Sequence, residues 1–464
     1  MFGKYGEFLI YFIVRGLFMK FFTAILYCFC FFTTAFSQEV ASLELLKTIS
    51  GKITPKSITN DGNGRFYAQN MMYSHNITVY DRNFKLIKTI SDKVDLADYG
   101  YTQYDTTVSG SPVEAAASHC GKYLWVTNYQ MFGEGFDNPG SDKCKMSKDY
   151  DSSFVYKINT QTLKIEAVVQ VGCVPKYIAV TPNNKYVLVT NWCSGDLSLV
   201  DADSCKEIKR IDMGSYPRGI AVDLKSEFAY VAVMGGKKII KVNLADFSIT
   251  SLQDVGKNPR HLCIDSKNKY LYATLNGENR VVKIDLNSFA VVDSATTQTT
   301  PRSMSISSDN SLLYVTNYAS NSLSVIRTDS MKSIQTISTG NHPIGVTCDA
   351  GTGNVWVACY SGSIQVFKNV PSKKVIPETV VVSTVDKRED VFIYHIIVGA
   401  FKEEQNLKKM LNKCAKAGYK PYIINPDDKL KKVSCAGFEN KESAVAALEK
   451  IKEKFGEGVW LCKQ

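Results

Sequence analysis

The sequence predicts an all-β seven-bladed β-propeller followed by a small α+β domain of order βαββαβ, and three observations predict it. A unit opening on proline recurs at Pro55, Pro112, Pro175, Pro217, Pro259, Pro301 and Pro343, and each of the last four intervals is 42 residues. That is the length of four short strands with their turns, one blade of a ring. The seventh unit stops one strand short, and a strand able to complete it stands ahead of the first unit. Beyond residue 390 the apolar period of two gives way to strands alternating with helices.

The N-terminus reads as an export signal. Met19 and Lys20 precede an apolar run from Phe21 to Phe32, and Ala35-x-Ser37 supplies small residues for cleavage before Gln38. Met19 begins a complete signal by itself, so residues 1–37 form the removed segment and 1–18 an upstream extension. Phe8 to Phe18 adds a second apolar stretch, which leaves an uncleaved anchor as the other reading. Tyr27 ahead of Cys28 is too large for a lipoprotein signal, so no stable membrane insertion is expected after cleavage.

Within each propeller unit an apolar strand follows the proline, and a second strand follows a turn. The second strands include Tyr186-Val187-Leu188-Val189-Thr190-Asn191, Ala229-Tyr230-Val231-Ala232-Val233, Leu313-Tyr314-Val315-Thr316-Asn317 and Val355-Trp356-Val357-Ala358. The seventh unit ends with a third strand at Ile364-Gln365-Val366-Phe367. Leu45 to Gly51 resembles the fourth strands elsewhere, and pairing it into the last blade would close the ring and remove its exposed edges. These residues resemble the YVTN-type β-propeller repeat over residues 44 to 367, which implies a secreted or surface binding module. Fold alone does not imply chemistry.

Two positions repeat on one face. The residue after the lead proline is Lys56, Val113, Lys176, Arg218, Arg260, Arg302 or Ile344, a cation in five of seven blades. Seventeen residues past the proline stand Tyr129, Trp192, Tyr318 and Tyr360. A basic ring with aromatics around it suits an anionic ligand with apolar or sugar faces; the competing reading is that each cation pairs with an acid of a neighbouring blade. The first interval is 57 and the second 63. Their excess residues fall around Ser91 to Gly110 and from Met131 to Asp151, both on the same face, where loops on a rigid scaffold carry function.

Catalytic signatures are missing. His75, His119, His261, His342 and His395 make no close ligand set, no G-x-S-x-G or phosphate loop stands at a strand-helix junction, and no C-x-x-C occurs. No catalytic residue, metal or cofactor is therefore expected. The cysteines lie in or beside apolar strands and read as small hydrophobes. The net charge of +10 is spread along the chain and names neither nucleic acid nor membrane as partner.

Residues 368–390, with Pro371, Pro377 and mixed charges, read as a linker. In 391–464, strands over Phe392–Val398, Pro421–Ile424, Leu430–Cys435 and Val459–Cys462 alternate with helices over Glu403–Ala417 and Lys441–Phe455. A half-repeat sets Val398-Gly399-Ala400-Phe401 before the first helix and Cys435-Ala436-Gly437-Phe438 before the second. The pattern is similar to the SPOR (sporulation-related) domain, which implies binding of peptidoglycan glycan strands on the sheet face away from the helices. Alternation puts His395, Ile397, Lys432 and Ser434 on that face. The family often carries Gln at the place of Ile397, Arg near Lys432 and Gly at the place of Ala436. Fourteen Lys against nine Asp and Glu suit a carboxylate-bearing wall polymer.

The expected function is that of an exported, periplasmic or cell-envelope binding protein. Its C-terminal domain docks on peptidoglycan, and its propeller recruits an envelope protein or glycan in cell division or wall remodelling. A lactonase- or lyase-like propeller enzyme anchored to the wall is the alternative.

Overall fold

The computed structural model describes residues 42–370 apart from 105, and 394–463 apart from 420, 425–428 and 439. The expected signal segment and nearly all of the expected linker lie outside the described residues. The chain divides into two compact units, with the break between Lys373 and Lys374.

The first unit is the seven-bladed ring. Blade three shows the rule: Pro175–Val180, Tyr186–Asn191, Asp196–Asp201 and Lys206–Asp212 form an antiparallel sheet in that order. Its second and third strands are almost wholly buried, whereas the fourth is mostly exposed. Strands sandwiched between two blades have no solvent side, so they are written as unbroken apolar runs, and only the rim strand carries charge freely. Each neighbouring pair of blades shares one apolar cluster, from Tyr67 with Val126 between blades one and two round to Phe66 stacked on Trp356 between seven and one.

The ring closes as the sequence predicts. Ser42–Ser50 pairs antiparallel with Ser363–Val370, Ser42 opposite Val370 and Ser50 opposite Ser363. The propeller therefore runs to Val370, and Lys368 to Val370 belong to its last strand instead of the linker. A bidentate Arg82–Asp349 pair, at 2.9 and 3.0 Å, joins blades one and seven. Gln335 of blade six both donates to and accepts from the Leu43 backbone.

The Thr-Asn ending of the second strands has a structural cause. Thr190 Oγ1 donates to the Arg218 carbonyl of the next blade, while Thr316 Oγ1 donates to the Ser303 carbonyl of its own inner strand. Asn191 and Asn317 each donate to two side chains of the third strand. These bonds fasten the inner end of the blade. Inner strands of adjacent blades also approach so closely that a Cβ at Gly219 would lie 2.5 Å from the Arg260 carbonyl, and one at Gly345 would lie 2.8 Å from Ser57 Cα.

Both predicted insertions are real. The first holds the short strand Lys93–Asp95, which gives blade two a fifth strand by pairing with the start of Thr107–Ala117. The second is the loop from Gly133 to Ser152. It carries a disulfide, Cys144–Cys193, that the reading of cysteines as small hydrophobes did not foresee. The other nine described cysteines are free thiols.

The second unit is an antiparallel four-stranded sheet of spatial order Tyr422–Ile424, Lys431–Phe438, Tyr394–Phe401, Trp460–Lys463. Helices Glu404–Lys416 and Lys441–Phe455 cover one face. Ile396, Val398, Val433 and Cys435 meet Leu407, Cys414 and Ile451 there. The Asn440 side chain caps the second helix by accepting from Ser443 N. No helix among the described residues is long and apolar enough to cross a membrane.

Candidate functional site

The site is built by a backbone irregularity repeated in every blade. Between the lead proline and the residues that resume pairing, each inner strand holds one residue more than its partner. Such bulges re-aim a side chain. The position after the proline sits in each bulge, and in five blades it is a cation.

Lys56, Lys176, Arg218 and Arg260 are at most 8% exposed, and Arg302 is half-buried. They share one electrostatic neighbourhood: the Arg218 charge weighs on Lys56, Lys176, Arg260 and Arg302 alike. Val113 and Ile344 fill the two remaining places and are buried.

Two carboxylates answer the five cations. Glu114, two residues past Pro112, lies 3.8 Å from Lys56 Nζ and 3.9 Å from Arg218 Nη2. Asp142, from the second inserted loop, pairs directly with Lys176 and accepts from the Tyr129 hydroxyl. The ring is therefore neither fully matched nor unmatched. Among the described residues Arg260 makes no ion pair and donates only to the Met234 sulfur, at 3.9 Å, while Glu114 and Asp142 act on it from farther away. Arg302 lies over the Tyr318 ring at 3.6 Å. Buried Lys56 Nζ and Arg302 Nε have no hydrogen-bond partner among the described residues.

The expected aromatics stand among these cations. Lys176 Nζ lies 4.1 Å from the Tyr129 ring centre and 5.6 Å from that of Trp192, and Tyr360 is close enough to feel Tyr318, Arg302 and Asp142. All four are half-buried.

Burial pushes the Lys176 ammonium down to about 7 despite the opposing charge of Asp142. Burial also works against the Asp142 carboxylate, but the charge and hydrogen bond of Lys176 outweigh it and hold that carboxyl well below its usual range. The guanidiniums of Arg218 and Arg260 are shifted down, first by burial. An arginine stays charged over accessible pH, so that shift expresses the cost of keeping its charge there.

Lys176 ties stability to pH. Between about 7 and its ordinary 10.5 the unfolded chain holds a proton that the folded one has released, so stability rises with pH. The melting temperature of wild type relative to Lys176→Met should increase from pH 7 to pH 9.5; a difference flat across that window would refute the shift.

Sequence reasoning missed Glu114 and Asp142. Position two past the proline was a findable signal, since it reads Ser57, Glu114, Tyr177, Gly219, His261, Ser303 and Gly345 round the ring. Asp142 sits in a loop outside the repeat and had no such signal. His261 Nε2 is 2.6 Å from the Tyr177 hydroxyl, and burial with the charges of Arg260 and Arg218 lowers the ring to about 3, so it is neutral.

In the second unit, His395 and Ile397 alternate with core-facing Ile396 and Val398. Both are buried, and His395 Nδ1 is 2.7 Å from the Tyr422 hydroxyl. Ser434 is buried, its hydroxyl donating to the Ala436 carbonyl, and Lys432 is half-buried.

Among known proteins, residues 392–461 match the SPOR domain family, and residues 151–300 match the cytochrome D1 heme domain. No curated protein sequence matches the chain. The structure is similar to that of Kuenenia stuttgartiensis hydrazine synthase, with a TM-score of 0.54, 13% identity, and coverage of 70% of this chain and 98% of that one. This likeness concerns the fold.

The residues of the heme-domain match do not fit a haem. Its one histidine, His261, is buried against Tyr177, Met213 is buried, and the Met234 sulfur faces Arg260. The exposed His342 lies outside the match and packs on Tyr318. Among the described residues no three His, Cys, Asp or Glu converge on a possible metal position. The chain thus joins a propeller to a C-terminal unit that matches the SPOR domain over nearly its whole described length.

Proposed function

We propose that this is an exported, non-enzymatic envelope protein that docks on peptidoglycan through residues 394–463 and captures an anionic envelope partner at the basic mouth of its propeller. The SPOR match, joined to the βαββαβ fold of that unit, carries the wall assignment. The Cys144–Cys193 disulfide supports an oxidising compartment. Five clustered cations against two acids support the mouth as the second binding face, since like charges held together are relieved by an anion.

The test compares the mature chain with one ending at Val370 in co-sedimentation with purified sacculi. The full chain should pellet and the shortened one should stay in the supernatant; equal recovery of both would end the wall assignment. For the mouth, replacing Arg218, Arg260 and Arg302 together with Gln should abolish partner capture from envelope extract without lowering the melting temperature. Capture that survives in a folded triple variant would rule the mouth out.

A further inference from the structure

The charges of the mouth are unevenly matched. Lys56 and Arg218 share Glu114, and Lys176 holds Asp142. Next to Arg218, Arg260 and Arg302 make no ion pair among the described residues, and the acceptors they meet are a thioether sulfur and a tyrosine ring. A guanidinium presents five donors, and buried donors in native proteins are nearly always satisfied. Arg260, 8% exposed, donates among the described residues to the Met234 sulfur alone, and the buried Nε of Arg302 has no hydrogen-bond partner among them.

We infer that the Arg218–Arg260–Arg302 side of the channel mouth is a subsite for a multiply charged oxyanion, carboxylate or phosphate, whose carrier lies against Tyr318 and Tyr360. Arg218, Arg260 and Arg302 keep their charge at accessible pH, and of the three only Arg218 makes an ion pair among the described residues, with Glu114, which calls for more than one negative charge. Guanidinium forks pair bidentately with carboxylate and phosphate, whereas halides and neutral sugars leave their donors unmatched. The mouth already holds an anion of this kind: the Asp142 carboxylate is bound by Lys176 and by the Tyr129 hydroxyl, a cation and an aromatic of the same two repeat positions that supply Arg302 and Tyr318. Tyr129 comes from the blade before that of Lys176, whereas Arg302 and Tyr318 share blade six; the inserted loop thus gives the first cation–aromatic pair the chain's own carboxylate, and the second has none within ion-pair distance among the described residues. This inference rests on the mouth being a binding face and adds the chemistry of what binds.

The test is calorimetric titration of the mature chain with citrate and with pyrophosphate at matched ionic strength, with chitotriose as the neutral control. Citrate or pyrophosphate should bind while chitotriose does not. Arg260→Gln/Arg302→Gln should weaken that binding at least tenfold while keeping its melting temperature, and Asp142→Asn should tighten it several-fold by removing a competing negative charge. Preference for citrate marks the natural ligand as a carboxylate and preference for pyrophosphate marks it as a phosphate; either supports the subsite. Absence of heat with both anions, or binding unchanged in the folded double variant, overturns it. If anion binding fails while the triple variant above still loses partner capture, the ligand class is wrong and the mouth reading stands; if both fail, the mouth reading falls too.

Discussion

Replacing Glu114 with Gln should destabilise the propeller by about 3–5 kcal/mol, because removing one partner of a buried charge network leaves the others uncompensated. Glu114 is the carboxylate nearest both Lys56 and Arg218, so its loss removes one of two counter-charges while keeping shape and volume. A fall in the propeller's melting temperature on the order of 5–10 °C would correspond. Arg260→Gln/Arg302→Gln should move the melt the other way or leave it unchanged, since neither arginine makes an ion pair among the described residues and, for both, the repulsion of Arg218 outweighs the attraction of the more distant acids. Opposite signs from two charge-removing changes in one cluster distinguish an unbalanced site from a paired structural ring. If thermal denaturation shows Glu114→Gln as stable as wild type, the carboxylate is not holding the cations together.

The second large effect concerns the disulfide. Cys144 and Cys193 are 49 residues apart, and opening a cross-link of that span costs about 2–4 kcal/mol through the freedom returned to the unfolded chain. The bond also anchors Asp142, two residues before Cys144, over Lys176. Cys193→Ser should therefore lower the melting temperature and make the segment from Gly133 to Asp142 sensitive to limited proteolysis. A melt that dithiothreitol does not shift, with the loop still protected, would show the bond to be dispensable.

The ring was legible in the sequence because a period of 42 is a property of order along the chain, and the same proline and Thr-Asn positions recur where the same inner bulge recurs. The five cations could be assigned to one face for that reason. Glu114 was visible in principle but sits one residue beyond the position that recurs as a cation. Asp142 and the Cys144–Cys193 bond were not legible, because the loop that holds them belongs to one blade alone and no repeat constrains it. In the second unit the alternation of Ile396 and Val398 with His395 and Ile397 follows from the pleat. The burial of Ile397 and Ser434 depends on tertiary packing, which strand period does not encode.

The pairing of Ser42 with Val370 sets an order of events. The first strand of the ring to leave a ribosome or cross a membrane has no hydrogen-bonding partner until more than three hundred further residues have followed it, whereas every other blade is complete within its own stretch of chain. Blades can accumulate as local hairpins, but the circle locks only in a last step of very high sequence separation, which places closure late and makes it slow relative to blade formation. Until then blade seven keeps a vacant edge and the Leu43 strand is a loose partner for any exposed edge nearby, another molecule's included. The vulnerable interval of this protein's life is thus the time between emergence of its first strand and docking of that strand against its last.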